Sequence, residues 1–126
     1  MKVKLSSVFV NDQNKALEFY TKILGFEKKV EVPTGEYKWL TVGQENSEFE
    51  LLLEPNAHPA AKGYQNAIYT DGIPATMFFV DDMDAEFKRL THLGVKFKSE
   101  PATMGNVKIA IFDDTCGNFI SLCQQL

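Results

Sequence analysis

The stretch Val8-Phe9-Val10-Asn11-Asp12-Gln13-Asn14-Lys15-Ala16-Leu17-Glu18-Phe19-Tyr20-Thr21-Lys22-Ile23-Leu24-Gly25-Phe26-Glu27 decides the fold, because a version of it returns at residues 78–97. Setting Val10-Asn11-Asp12 on Val80-Asp81-Asp82 superposes two apolar segments that end in acidic residues. One residue of slippage later, Leu24-Gly25-Phe26 meets Leu93-Gly94-Val95. Each copy reads as strand, helix, glycine stop and strand. In the first, Asp12 offers a carboxylate to cap a helix whose apolar positions Ala16, Leu17, Tyr20, Ile23 and Leu24 follow the helical period. Gly25 ends that helix, at the position where left-handed backbone suits glycine. In the second, Asp81 or Asp82 caps a helix that turns Met83, Phe87, Leu90 and Leu93 inward, and Gly94 is the stop.

Working outward, residues 3–10 and 26–32 are β-rich, 33–35 carry turn chemistry and 37–42 alternate as a strand does. After a turn at 43–46, residues 48–54 set Phe49, Leu51 and Leu53 on one face and Glu48, Glu50, Leu52 and Glu54 on the other. The second copy continues as strands at 75–80, 95–98, 107–112 and 119–123, with turns at 101–106 and 113–118. The predicted organisation is a single α+β domain over residues 1–126, built from tandem βαβββ modules at 1–54 and 74–126. The connection at 55–73 is too long to be structureless, so it is expected to hold a short helix with Ala60, Ala61, Tyr64, Ala67 and Ile68 on one side. A four-stranded sheet with one helix leaves one face open, and two such sheets set side by side form a cupped mixed sheet.

Composition sets the outer bounds. With 126 residues, 44% hydrophobic and 24% charged, the chain has the make-up of a globular domain with one core. A net charge of −4 without any basic cluster removes the electrostatic footprint of nucleic-acid binding. No apolar run approaches the roughly 18 to 20 residues of a membrane span, and residues 1–5 pass into a strand rather than a signal-peptide block. A cytoplasmic protein with no nucleic-acid and no membrane partner is expected. Cys116 and Cys123, seven residues apart and without CxxC spacing, read as a turn thiol and a strand hydrophobe.

The paired modules, the opening run from Val10-Asn11-Asp12 to Leu24-Gly25-Phe26-Glu27, and the closing Asp113-Asp114-Thr115-Cys116-Gly117-Asn118-Phe119-Ile120 resemble the vicinal oxygen chelate superfamily over essentially the whole chain. That superfamily includes glyoxalase I, extradiol dioxygenases, fosfomycin resistance enzymes and bleomycin resistance proteins. The resemblance implies the glyoxalase/bleomycin resistance/dioxygenase fold, a ligand pocket inside the cup and a homodimer, with Tyr64, Ile68 and Tyr69 of the connection near the interface or the pocket mouth. In the metal enzymes of the family, the first and last strand of each module supply one ligand each. The matching positions here are Leu5, Glu50, Ala75 and Ser121, of which Glu50 alone is a ligating type. The two histidines, His58 in the connection and His92 among Glu86, Lys88 and Arg89, read as surface residues. No cofactor is therefore expected, and a divalent zinc, nickel, manganese or iron site is disfavoured.

Strand alternation anchored on those four positions turns Leu5, Ser7, Phe9, Trp39, Glu50, Leu52, Ala75, Met77, Phe79, Phe119 and Ser121 toward the cup, together with Thr41, Glu48 and Cys123. Such an apolar wall with few polar groups suits a small molecule. Glu50 is the one candidate catalytic residue, as a general base or as the holder of a cationic or hydroxylated ligand. Among Leu52, Trp39 and the phenylalanines its charge needs a cation or hydrogen-bond donors beside it. Two readings stay open. One is a small-molecule-binding protein of the bleomycin resistance type that lacks most of the metal ligands. The other is a glyoxalase- or dioxygenase-like lyase or oxidoreductase using Glu50 in an incomplete or partner-completed metal site.

Overall fold

The computed structural model describes all residues, Met1–Leu126. The chain divides into two compact units, Met1–Gln65 and Asn66–Leu126. The first contains β1 (Leu5–Val10), α1 (Gln13–Glu18) running on into a π-helical turn (Phe19–Ile23), β2 (Glu27–Thr34), β3 (Tyr37–Gly43) and β4 (Glu50–Pro55). The helix α2 (Pro59–Thr70) carries the boundary between units. The second contains β5 (Pro74–Phe79), α3 (Met83–His92), β6 (Ala102–Met104), β7 (Val107–Asp113) and β8 (Phe119–Gln125). Each unit holds a four-stranded mixed sheet, ordered β1-β4-β3-β2 in one and β5-β8-β7-β6 in the other, so the architecture is α+β.

The repeat read in the sequence is a repeat in space down to its caps. Asp12 and Asp82 are both extended N-caps, and each carboxylate accepts from the backbone N–H three residues on, Lys15 and Ala85, at 3.1 Å. Both helices end on a left-handed glycine, Gly25 at φ 92° and Gly94 at φ 90°. Past those glycines the Phe26 N–H returns to the Tyr20 carbonyl, and the Val95 N–H to that of Leu90, each at 3.0 Å. Apolar side chains under each helix form that unit's core. Val8, Val10, Leu40, Val42 and Leu53 pack beneath Ala16 and Tyr20 in the first, and Ala110, Phe112, Ile120 and Leu122 beneath Met83 and Leu90 in the second. Each buried Val, Leu, Ile, Met or Phe among them contributes about 1.5–3 kcal/mol by leaving water.

Several expectations shift. Residues 95–98 are not a continuous strand: Phe97 makes an isolated bridge to Phe112, flanked by Lys98 N–H to Ile111 O and Asp113 N–H to Lys96 O. The fourth strand of that sheet is β6, inside the segment expected to be a turn. Pro101 stands between the two pieces and has no N–H to give a ladder, so the edge is split. In the first unit β2 runs through Pro33 and Thr34, and the turn narrows to Gly35-Glu36. Pro33 is tolerated because β2 is an edge strand. Leu93 is exposed because it is the cap residue past the last turn of α3, and Phe49 is exposed because β4 begins one residue later. On α2 the buried positions are Ala61 and Gln65, with Ile68 and Tyr69 half-buried, whereas Ala60, Tyr64 and Ala67 face solvent.

Candidate functional site

In the first unit, the sheet face away from α1 gathers the side chains marked out by alternation. The parallel register sets Leu5 opposite Glu50, Ser7 opposite Leu52 and Phe9 opposite Glu54. Leu52 also faces Thr41, and on the far side Val30 meets Thr41 and Val32 meets Trp39. Leu5, Ser7, Phe9, Trp39, Glu50 and Leu52 are thereby brought onto one surface. Glu48 is not part of it. That residue precedes β4 and pairs with Lys2 and Lys4 at 3.5 and 3.8 Å.

Glu50 is half-buried, and the Thr41 hydroxyl donates to its Oε1 at 2.5 Å. Thr41 is fully buried, so this donor is held in place rather than swung in from solvent. None of the ion pairs in the structure involves Glu50 or Glu54. Trp39 is on the same face, with 44% of its surface exposed.

In the second unit, Met77 lies opposite Ser121 and Phe79 opposite Cys123, while Ile111 and Asp113 meet Ser121 and Phe119 from β7. Ala75 falls at a shift of register between Pro74 and Thr76. That shift has a consequence for the four positions drawn from the resemblance. By strand pairing, the place of Glu50 is taken in the second unit by Phe119, and Ser121 stands where Leu52 stands. Ser121 is buried, and neither residue adds a ligating group. Within either unit no three His, Cys, Asp or Glu side chains come together as a metal-ligand set.

Two further side chains gather around Phe119. The Tyr69 ring stacks on it at 4.4 Å between centroids, and the Tyr69 hydroxyl donates to Asp113 Oδ2 at 2.5 Å. Lys98 Nζ lies 4.8 Å from the Phe119 centroid. The hydrogen bond to Asp113, followed by burial and the charges of Asp113 and Asp114, raises the Tyr69 pKa above the ordinary tyrosine value, so the phenol stays protonated. Asp114 is buried and accepts from Cys116 N–H, Asn118 N–H and Asn118 Nδ2, which ties the β7–β8 hairpin together. His92 is exposed, and exposed His58 accepts at Nδ1 from Ala60 N–H. Both cysteines are buried and neither is in a disulfide.

Sequence reasoning placed Thr41 on the right face but not as the partner of Glu50, because the pair joins two strands whose register is set only on folding. Gln13 was missed altogether. Its side chain is buried and bonds Lys38 O, Leu53 O and Lys38 N–H at 2.7, 2.9 and 3.1 Å. Nothing in its sequence context distinguishes it from a solvated glutamine in a first helical turn.

Comparison with known proteins agrees with this architecture. The family model for the glyoxalase/bleomycin resistance protein/dioxygenase superfamily matches residues 3–122. The chain belongs to that superfamily. It is 54% identical over 127 aligned positions to protein YurT of Bacillus subtilis (strain 168), covering 99% of this chain and 100% of that one. Among solved structures, UcmS2 superposes with a TM-score of 0.86 at 30% identity, covering 99% of this chain and 98% of its own. TnmS3, an antibiotic binding protein from Streptomyces sp. CB03234, superposes with a TM-score of 0.80 at 29% identity, covering 100% and 97%. No helix is long and apolar enough to cross a membrane.

Proposed function

We propose that the chain is a small-molecule-binding protein of the antibiotic-binding kind, which sequesters its ligand, takes no metal of its own and works in the cytoplasm as a homodimer. The observation that carries this reading is the face of the first unit away from α1, where Trp39, Phe9, Leu5 and Leu52 stand with two carboxylates, Glu54 and Glu50, the latter accepting from Thr41. An aromatic and aliphatic surface with a few placed polar groups is what holds a drug-sized molecule. Its likeness to TnmS3 supports the same direction. Two buried cysteines outside any disulfide suit a reducing compartment. Exposed Met77 and Phe79 supply apolar surface for a second copy. The alternative, a lyase or dioxygenase in which a partner chain completes a metal site, is favoured only by the place of Glu50 on β4.

The test is a thermal-shift panel of aromatic and glycopeptide antibiotics, bleomycin included, followed by titration on Trp39 fluorescence. A true ligand at a hundred times its Kd stabilises by about 2.7 kcal/mol. The expected outcome is stabilisation by at least one compound, with no turnover of the methylglyoxal hemithioacetal. Turnover that depends on added metal and disappears in Glu50→Gln would reverse the assignment.

A further inference from the structure

We propose that the first unit carries a second small-molecule site, in a cavity of about 350 Å³, and that its ligand is a neutral polyhydroxylated ring, a monosaccharide. The walls are residues 10–14 between β1 and α1, residues 36–38 at the start of β3, residues 55–57 at the end of β4, and Lys62 of α2. None of Leu5, Phe9, Trp39, Glu50 and Leu52 lines it, so the cavity holds its ligand whether or not the sheet face around Glu50 takes one. Its volume lies at the small end of the range for ligand pockets.

The polarity of the lining gives the ligand's chemistry. Asp12 and Glu36 stand against Lys38 and Lys62, so the charges cancel and favour neither an anion nor a cation. Two asparagine amides are turned opposite ways by the protein itself. Asn56 Nδ2 donates to Gln65 Oε1 at 2.7 Å, which leaves Asn56 Oδ1 to accept. Asn14 Oδ1 accepts from Lys38 Nζ at 2.8 Å, which leaves Asn14 Nδ2 to donate. Glu36 and Lys62 repeat this as an acceptor and a donor, neither of them in an ion pair. A ligand that meets both kinds of group in one small cavity needs groups that donate and accept alike, and the hydroxyl is one. The Tyr37 ring, 41% exposed and in contact with no other ring, supplies apolar surface together with Val10 and Pro55. A pyranose has one face of C–H groups, and the electron-rich face of a phenol ring attracts such weakly positive hydrogens. Gln13 closes the back. Its Nε2 and Oε1 are bonded to the backbone of Lys38 and Leu53, so it takes no ligand group and holds the wall in place before binding.

The experiment is an NMR titration of the full chain with D-glucose, D-galactose, D-mannose and N-acetyl-D-glucosamine, with L-serine as a zwitterion and inorganic phosphate as an anion. At least one sugar is expected to give saturable shifts of the Asn14 and Asn56 side-chain amides and of the Lys38 backbone amide, and serine and phosphate none. Tyr37→Ala weakens that sugar about tenfold or more. Asn14→Asp keeps the oxygen that Lys38 bonds but replaces the donor by an acceptor, and weakens the sugar about tenfold as well. A residue that merely braced Lys38 would not respond to this change. Both side chains are exposed, so each variant folds, which an unchanged Tm records. The proposal is overturned if no sugar saturates, if serine or phosphate binds as tightly as the best sugar, or if either variant binds like the wild type. It is overturned too if Glu50→Gln weakens the sugar, which would place it on the sheet face instead.

Discussion

Glu31 sits on β2 between two ammonium groups, Lys28 Nζ at 2.7 Å and Lys38 Nζ at 2.8 Å, and Lys38 also reaches Asn14 Oδ1 at 2.8 Å. The hydrogen bonds from Lys28 and then Lys38 lower its pKa from 4.5 to about 2. A group depressed in this way stabilises the folded state at pH above its unfolded value. That contribution fades as the pH falls from about 4.5 through about 2. Glu31→Gln is therefore expected to lower the Tm slightly at neutral pH in low salt, and the gap to the wild type should close near pH 2. Added salt should narrow it too, since the pair is at the surface. A gap that widens in acid would contradict the assignment. Residues of this kind were hard to read in the sequence. Lys28 is three residues from Glu31 and near it in any extended model, but Lys38 arrives only through the β2–β3 hairpin. The same holds for Thr41 and Glu50, which alternation put on one face without showing that they touch.

At the level of elements, β3 and β4 are paired only at Thr41 with Leu52 and Val42 with Leu51. Beyond that point the Gln13 amide bridges the two strands, bonding both backbone groups of Lys38 and the carbonyl of Leu53. A side chain on α1 thus replaces the next rung of the ladder. Gln13→Leu is expected to destabilise by about 2–4 kcal/mol, because it leaves buried backbone groups without partners, with faster amide exchange at Lys38. Urea unfolding checks the first, and a change within about 0.5 kcal/mol would show that water takes over the bridge. The helices α1 and α3, their aspartate caps and their glycine stops were legible because they depend on neighbours in sequence. The split edge at Phe97 and β6 was not, because it depends on where Pro101 interrupts pairing with a distant strand. Nor was the buried face of α2, where apolar periodicity favoured Tyr64 over Gln65. The Gln65 amide is buried since it donates to Phe9 O at 2.9 Å and accepts from Asn56 Nδ2 at 2.7 Å.

For the whole molecule, the doubled motif identified the superfamily and the fold class, while the ligand depends on surfaces that composition does not describe. Phe79, 63% exposed, and Met77, 43% exposed, stand on the open face of the second unit. If that apolar surface is where a second copy seats, Phe79→Lys gives a folded monomer by sedimentation velocity at concentrations where the wild type is dimeric. A dimer that persists with unchanged affinity would place the contact elsewhere. The two halves also differ by one residue in length at their helices. Acceptors at the ends of the two helices, Tyr20 and Leu90, stand seventy residues apart, and their donors, Phe26 and Val95, stand sixty-nine apart. Leu24 N–H likewise reaches back five residues to Phe19, where Leu93 N–H reaches back four to Arg89. The π-helical turn at Phe19–Ile23 is where that odd residue is stored. The first half thus carries one extra residue between its aspartate cap and its glycine stop, inside the helix instead of a loop. It was absorbed as a local widening between two intact caps, so neither flanking strand had to exchange its inward for its outward side chains.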